Sequence, residues 1–349
     1  MLRQLFIFSV VIAIASCGGG SSAVKNSNGS TAAITASGTI TSASSAPGTS
    51  VSSALDSSSL ASSVANEAAG NTPVYGMYVS LNIGRDNALL GNAEREDQFI
   101  KFVRDNGFNY LIFYELEGIQ PDSIIARQFA ALVGRAKLTA GVKQVAAAIG
   151  DIAEADTIVA YNAHKPASER IDVLNVEYEF WNKSDRTTAF NNTIAMLERF
   201  KSVAMAHQLQ TEIYVGWIDA TEAVSLANIT DRILVHYYVQ TDVGIINYGS
   251  ERLEWLAAAS RKVKIAPIFS NEGPKNTNDL PFMGCWLEKN PHRQAYKSWL
   301  AQYESLNKPW QENIEVVGAT WFIYDKFLDV KNAGDNQAAT TGCENWTPI

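Results

Sequence analysis

Ile171-Asp172-Val173-Leu174-Asn175-Val176-Glu177-Tyr178-Glu179 is the stretch on which the reading of this chain turns. β-Branched and aliphatic residues dominate it, and alternate side chains of such a strand point to opposite faces. One face carries Val173, Asn175, Glu177 and Glu179; the other carries Leu174, Val176 and Tyr178, which suit packing against helices. Buried polar groups are costly unless paired. An Asn and two Glu in succession on one face therefore mark a strand kept for function. The alternative is an edge strand with a wetted polar face, against which Phe180 and Trp181 continue the apolar run.

Outward from this stretch, strand and helix patterns alternate from Pro73 to Ile349. Strands are expected at Val74–Leu81, Tyr110–Glu115, Val142–Ile149, Ile171–Glu179, Glu212–Ile218, Ile233–Val239, Val263–Phe269 and Val316–Tyr324. Helical segments between them include Glu94–Asp105, Asp122–Arg135, Thr187–His207, Ser250–Ser260 and Gln294–Ser305. Asp185 offers a helix cap, and Gly107 and Gly141 punctuate helix ends. Such units over residues 73–349 fit a single α/β domain, a (β/α)8 TIM barrel, whose active groups sit at the C-terminal ends of the strands. Glu177 and Glu179 fall there on the fourth. A doubly wound open sheet is the alternative, and it lacks a Gly-rich phosphate turn after its first strand.

The first 72 residues read differently. Residues 1–16 hold Arg3 and an apolar run from Leu5 to Ala15, too short to span a bilayer and laid out as a secretory signal. Ile14-Ala15-Ser16-Cys17 resembles the lipobox of bacterial lipoproteins, which implies cleavage before Cys17 and lipidation of its thiol. Gly18 in place of the Asp associated with inner-membrane retention points to the outer membrane of the bacterial cell envelope. From residue 17 to 72 the chain is rich in Ser, Ala, Gly and Thr, with Lys25, Asp56 and Glu67 its only charges. It buries too little apolar surface to offset ordering, so a disordered tether spanning on the order of 40 Å is expected. Formal net charge over the 349 residues is -8, which argues against nucleic acid as a partner.

The fourth strand carries a resemblance. Asp172-Val-Leu-Asn175-Val-Glu177-Tyr-Glu179 lies over the DxxDxDxE signature of glycoside hydrolase family 18, the chitinase and endo-β-N-acetylglucosaminidase family, with Asn175 and Glu177 at the two inner acidic positions. Gly141–Gly150 is similar to the family's third-strand SxGG region, with Ala147 and Asp151 at two of its places. His236-Tyr-Tyr238 sits where the family has MxYD, and Gly318-Ala-Thr-Trp321 where it has the Trp flooring the sugar site. The resemblance implies substrate-assisted cleavage of β-linked, N-acetylglucosamine-containing glycans, the substrate's acetamido oxygen acting as nucleophile. It implies Glu179 as the acid, Glu177 orienting the acetamido group, Tyr238 donating to that group's oxygen, and Asn175, His236 and Trp321 as substrate-binding residues.

A second reading draws on retaining β-glycosidases of the same fold, which carry an acid/base Glu after strand four and a nucleophile Glu after strand seven. Glu272, in Ile268-Phe-Ser-Asn271-Glu272-Gly273, is placed for the nucleophile, with Glu179 as acid/base. A third is a catalytically silent carbohydrate-binding barrel. Loop aromatics such as Trp217 can stack on pyranose faces. The four histidines are scattered, and no metal or cofactor motif is present, so no cofactor is expected. Cys285 and Cys343 form an even leftover pair in an exported chain, where a disulfide is expected.

Overall fold

The computed structural model describes residues 72–272 and 283–332. In chain order these form β1 (Val74–Val79), α1 (Ala93–Asn106), β2 (Tyr110–Phe113), α2 (Ile124–Thr139), β3 (Gln144–Ile149), α3 (Ile152–Ala163), β4 (Val173–Val176), α4 (Arg186–His207), β5 (Gln210–Val215) and α5 (Ala220–Ile229). There follow β6 (Arg232–His236), α6 (Ser250–Ala257), β7 (Val263–Ser270), α7 (Gly284–Leu287), α8 (Arg293–Ser305), β8 (Ile314–Val316), β9 (Gly318–Phe322) and α9 (Tyr324–Asn332). Every strand pairing is parallel. Neighbours run in order from β1 to β6, β6 pairs with β7, and β9 bridges β7 and β1. The sheet closes on itself as a (β/α)8 TIM barrel.

The eighth barrel strand is built in two pieces. β8 pairs with the start of β7, and after Val317 the chain resumes as β9 between β7 and β1. Gly318 makes that step, with φ at +143° and an imagined Cβ only 1.7 Å from the Val74 carbonyl oxygen. Any side chain there would hold the last strand off the first. The uninterrupted strand expected over Val316–Tyr324 is corrected accordingly.

Local sequence explains where the helices begin. Asn92, Ser123, Asp151, Asp185 and Asp219 each accept a hydrogen bond from a first-turn backbone amide. Asp151 and Asp219 add reciprocal contacts from Glu154 and Glu222. Asp151 is thus a helix cap, and Ala147, paired in register with Leu174, lies in the buried layer facing the helices. Gly107 ends α1 in a left-handed conformation, and Gly141 is left-handed after α2.

The fourth strand is shorter than Ile171–Glu179. It stops at Val176, and a single 3-10 turn, Phe180–Asn182, follows. Phe180 and Trp181 are buried, and Trp181 packs so close to Gly216 that a Cβ there would lie 2.8 Å from its ring. Burying these two aromatics turns the backbone out of the ladder before Glu179.

Inside the barrel, below its mouth, lies a buried polar network. Glu212 on β5 accepts from Tyr110 Oη (2.6 Å), from Asn175 Nδ2 (2.7 Å) and from Arg232 Nε. Arg232 also donates to Gln144 Oε1 at 3.1 Å and stacks over the Tyr110 ring at 4.3 Å. Asn175 Oδ1 in turn accepts from Tyr78 Oη at 3.3 Å. Asp172 stays at the opposite, N-terminal end, accepting from the Val145 amide (2.8 Å) and pairing with Lys137 (2.7 Å).

Candidate active site

The chemistry-bearing groups gather at the C-terminal mouth, where TIM barrels place their reactions. Glu177 follows β4 directly and receives a short hydrogen bond from Tyr114 Oη, which follows β2. Burial pushes the Glu177 carboxyl up to about 7; the Tyr114 bond opposes this, and the nearby charge of Glu179 adds to it. Near neutral pH this group therefore holds a proton part of the time. The Tyr114 hydroxyl is itself pushed well above its ordinary value by burial and by Glu177, so it stays a donor.

Aromatic rings wall this carboxyl. Tyr78 stacks on Tyr114 with centroids 5.3 Å apart. Phe322, at the end of β9, lies 5.8 Å from Tyr78, 6.5 Å from Tyr114 and 6.1 Å from Tyr238. Tyr238 follows β6 on the same inward parity as His236, and their rings are 4.1 Å apart. Burial raises the Tyr238 hydroxyl most, followed by Tyr214, Glu177 and Glu272. Both carboxyl groups thus act on one phenol, Glu177 from the β4 side and Glu272 from the β7 side. Glu272 is half-buried and accepts from Ser270 Oγ at 3.0 Å.

Other expected site residues are placed differently. Glu179 is exposed at the rim, accepting from Asn182 Nδ2 at 2.7 Å. Asn175 is fully buried with both ends of its amide engaged by Tyr78 and Glu212, so its expected contact with substrate is corrected. Trp321 is also corrected. It pairs in register with Met77 and Phe269, is fully buried, and packs on Phe269 and on Phe327 of α9. It belongs to the layer between strands and helices; the next residue, Phe322, faces the mouth. His236 and Trp217 do reach the mouth, with rings 5.9 Å apart and Trp217 48% exposed. Burial, then the charge of Arg252, push the His236 imidazole down to about 3, so it is neutral. Cys285 is buried in α7, while Cys17 and Cys343 lie outside the described residues.

Tyr114, Phe322, Tyr248 and Arg252 belong to the mouth without having been singled out in the sequence. Tyr114 carried a usable signal, since it continues the parity of Tyr110 and Ile112. Phe322 did not, because the break at Gly318 resets the parity of the last strand. Among the described residues no group of three or more His, Cys, Asp or Glu side chains is arranged to hold a metal ion.

No protein family description matches the chain, and no curated protein matches it in sequence. Solved structures align with it in backbone trace at low identity. A β-glucuronidase of Faecalibacterium prausnitzii aligns at 10% identity and a TM-score of 0.46, over 72% of this chain and 42% of that one. The spore cortex-lytic enzyme SleL of Bacillus megaterium aligns at 11% and 0.43, over 74% and 73%. Tryptophan synthase subunit alpha of Legionella pneumophila aligns at 8% and 0.43, over 81% and 93%. The likeness is one of fold. This chain spans about two fifths of the glucuronidases it aligns with.

Proposed function

We propose that the barrel is a glycoside hydrolase acting on β-linked glycans, with Glu177 as general acid and base. The observation that carries this is a mouth carboxyl poised near 7 by burial, held by Tyr114 and walled by Tyr78, Phe322 and Tyr238. A proton donor works best with a pKa near the working pH, and aromatic walls suit the apolar faces of sugar rings. Glu272 supplies the second carboxylate, attacking the anomeric carbon while Glu177 protonates the leaving oxygen. Water then displaces the sugar from Glu272 as Glu177 takes back its proton. Tyr238 acts between the two carboxyl groups and orients Glu272.

A second reading keeps the roles implied by the fourth-strand resemblance. In it Glu179 donates the proton, Glu177 orients the acetamido group of an N-acetylglucosamine residue, and the substrate's own oxygen attacks. The electrostatic coupling of Glu177 with Glu179 favours it. One experiment separates these readings: the chain and its Glu177→Gln, Glu179→Gln and Glu272→Gln variants, assayed on chitin oligomers, N-glycans, mannan, xylan and β-glucans. Loss in Glu177→Gln and Glu272→Gln with Glu179→Gln active supports the two-carboxylate route. Loss in Glu179→Gln and Glu177→Gln on N-acetylated substrates alone supports substrate assistance. Saturable binding of one of these glycans with no turnover by the wild type supports a binding barrel.

We also propose that Cys17 is lipidated and that residues 17–72 tether the barrel to a bacterial membrane, on the strength of Ile14–Cys17 and the Ser/Ala-rich tract. Cys17→Ser should move the protein from membranes to the soluble fraction; unchanged fractionation would rule the anchor out.

A further inference from the structure

Arg252, on α6, is only 2% exposed although its guanidinium is charged. Nη1 donates to the Gly216 carbonyl, just past β5, at 2.8 Å. Nη2 donates to the carbonyls of His236 at 2.8 Å and of Tyr248 at 3.0 Å. The guanidinium carbon lies 5.3 Å from the Trp217 ring, 5.6 Å from Tyr237 and 5.5 Å from Tyr248. Gly249 makes the room: its φ is +91°, and a Cβ there would fall 2.1 Å from Arg252 Nη2. One side chain thus fastens the C-terminal ends of β5 and β6 to α6 and underlies a group of mouth aromatics.

That group forms a wall beside the carboxyls. Trp217 meets Tyr248 edge-on at 5.5 Å and lies 5.9 Å from His236, which in turn contacts Tyr238 at 4.1 Å. Nδ1 of His236 is buried without a protein partner among the described residues. Among the described residues the cations at this wall are engaged: Arg252 on three carbonyls, and Arg186 on Glu222 and, at 2.8 Å, on the Trp217 carbonyl; Arg85 pairs with Glu115 at 3.1 Å, and Lys183 lies over the Tyr178 ring at 4.9 Å. A sugar carboxylate entering here would meet Glu177 and Glu179 and a neutral imidazole, which repels or ignores it. A neutral pyranose would stack on Trp217 and hydrogen-bond the imidazole.

We propose that Trp217, His236 and Tyr248 form a subsite for an uncharged sugar ring beside the reacting carboxyls, with Arg252 as the residue that positions it. The proposal concerns binding in the mouth assigned above to glycoside hydrolysis. It therefore excludes uronic acids as the ring bound on this side, whatever the reaction.

The test is calorimetric titration of the full-length Glu177→Gln chain with neutral oligomers of cellulose, xylan, mannan and chitin, and with oligogalacturonate. At least one neutral probe should bind saturably, and oligogalacturonate at least tenfold more weakly. Adding Trp217→Ala should weaken the neutral probe at least tenfold; this residue is half-exposed, so the fold is not at stake. Arg252→Lys, which keeps the charge but loses the fork across three carbonyls, should weaken it comparably and, as a single substitution in the otherwise wild-type chain, raise KM far more than it lowers kcat. Equal binding of oligogalacturonate, no saturable neutral probe, or unchanged affinity in Trp217→Ala would overturn the subsite. Unchanged affinity in Arg252→Lys would remove Arg252 from it. Should the neutral probe bind through Trp217 while the wild type hydrolyses nothing, the subsite stands and the hydrolase reading falls. Hydrolysis that Trp217→Ala leaves untouched gives the reverse.

Discussion

Two sets of polar side chains sit inside this barrel, one above the other, and they differ in whether their charged groups are paired with one another or face the mouth. In the lower set Glu212 accepts from Tyr110, Asn175 and Arg232, and Asn175 passes on to Tyr78. Its ion pair is buried, 0% and 7% exposed at the side chains, and is enclosed by partners of complementary type. In the upper set Glu177 has Tyr114, His236 has an unpartnered Nδ1, and Trp217 presents an open face. A buried network whose charges are paired with one another fixes geometry, even with Arg232 Nη2 left without a partner among the described residues; groups at the mouth can still be completed by a ligand. The same stretch feeds both sets, since Asn175 belongs to the lower and Glu177, two residues on, to the upper.

The contrast can be broken by experiment. The largest effect belongs to the mouth: Glu177→Gln should lower turnover by about 10²–10⁴-fold with little loss of melting temperature, measured on whichever glycan the wild type cleaves. A comparable loss of stability instead would place Glu177 with the structural set. In the lower set, Glu212→Ala strands Arg232 and should destabilise by about 3–5 kcal/mol in denaturant unfolding. Joint replacement of Glu212 and Arg232 by Leu and Met should recover much of that. Asn175→Asp should destabilise too, because it removes the donor to Glu212 and sets a second carboxylate beside it.

Next comes a pH dependence. Glu177 titrates near 4.5 when unconstrained and about 7 in the fold. Between those values the folded chain keeps a proton that the unfolded chain has released. Its contribution is full below about 4.5 and is lost as pH rises through 7, by on the order of 3 kcal/mol. Stability curves for Glu177→Gln should lack that slope, and wild-type kcat/KM should fall above about pH 7. The disulfide proposed for Cys285 and Cys343 should contribute about 2–4 kcal/mol; two freely alkylated thiols in the non-reduced protein would end that idea. Trp217→Ala should be the mildest, within about 0.5 kcal/mol of wild type because the ring is half in water, while glycan binding falls.

Much of this was written in the linear pattern. The alternation of apolar runs gave eight β/α units in order, and the start of α4 followed from Asp185, since caps are local. The inward parity of Val173, Asn175 and Glu177 held because a strand's period is fixed by its backbone. Parity failed at Glu179, where burial of Phe180 and Trp181 bent the chain away. At Trp321 it was the resemblance that misled, since in the strand that resumes at Gly318 the inward position falls to Phe322.

The sequence by itself thus determined the fold, and that polar chemistry sits at the end of the fourth strand. The tertiary structure decided which of those polar groups is available. Asn175 is consumed by Glu212 and Tyr78 from strands 37 and 97 residues away, Glu177 acquires its raised pKa from burial beneath Tyr114, and Arg252 reaches from a helix to hold the ends of β5 and β6. Periodicity and capping act over a few residues and can be read along the chain. Hydrogen-bond saturation, desolvation and charge coupling depend on neighbours brought together only when the barrel closes.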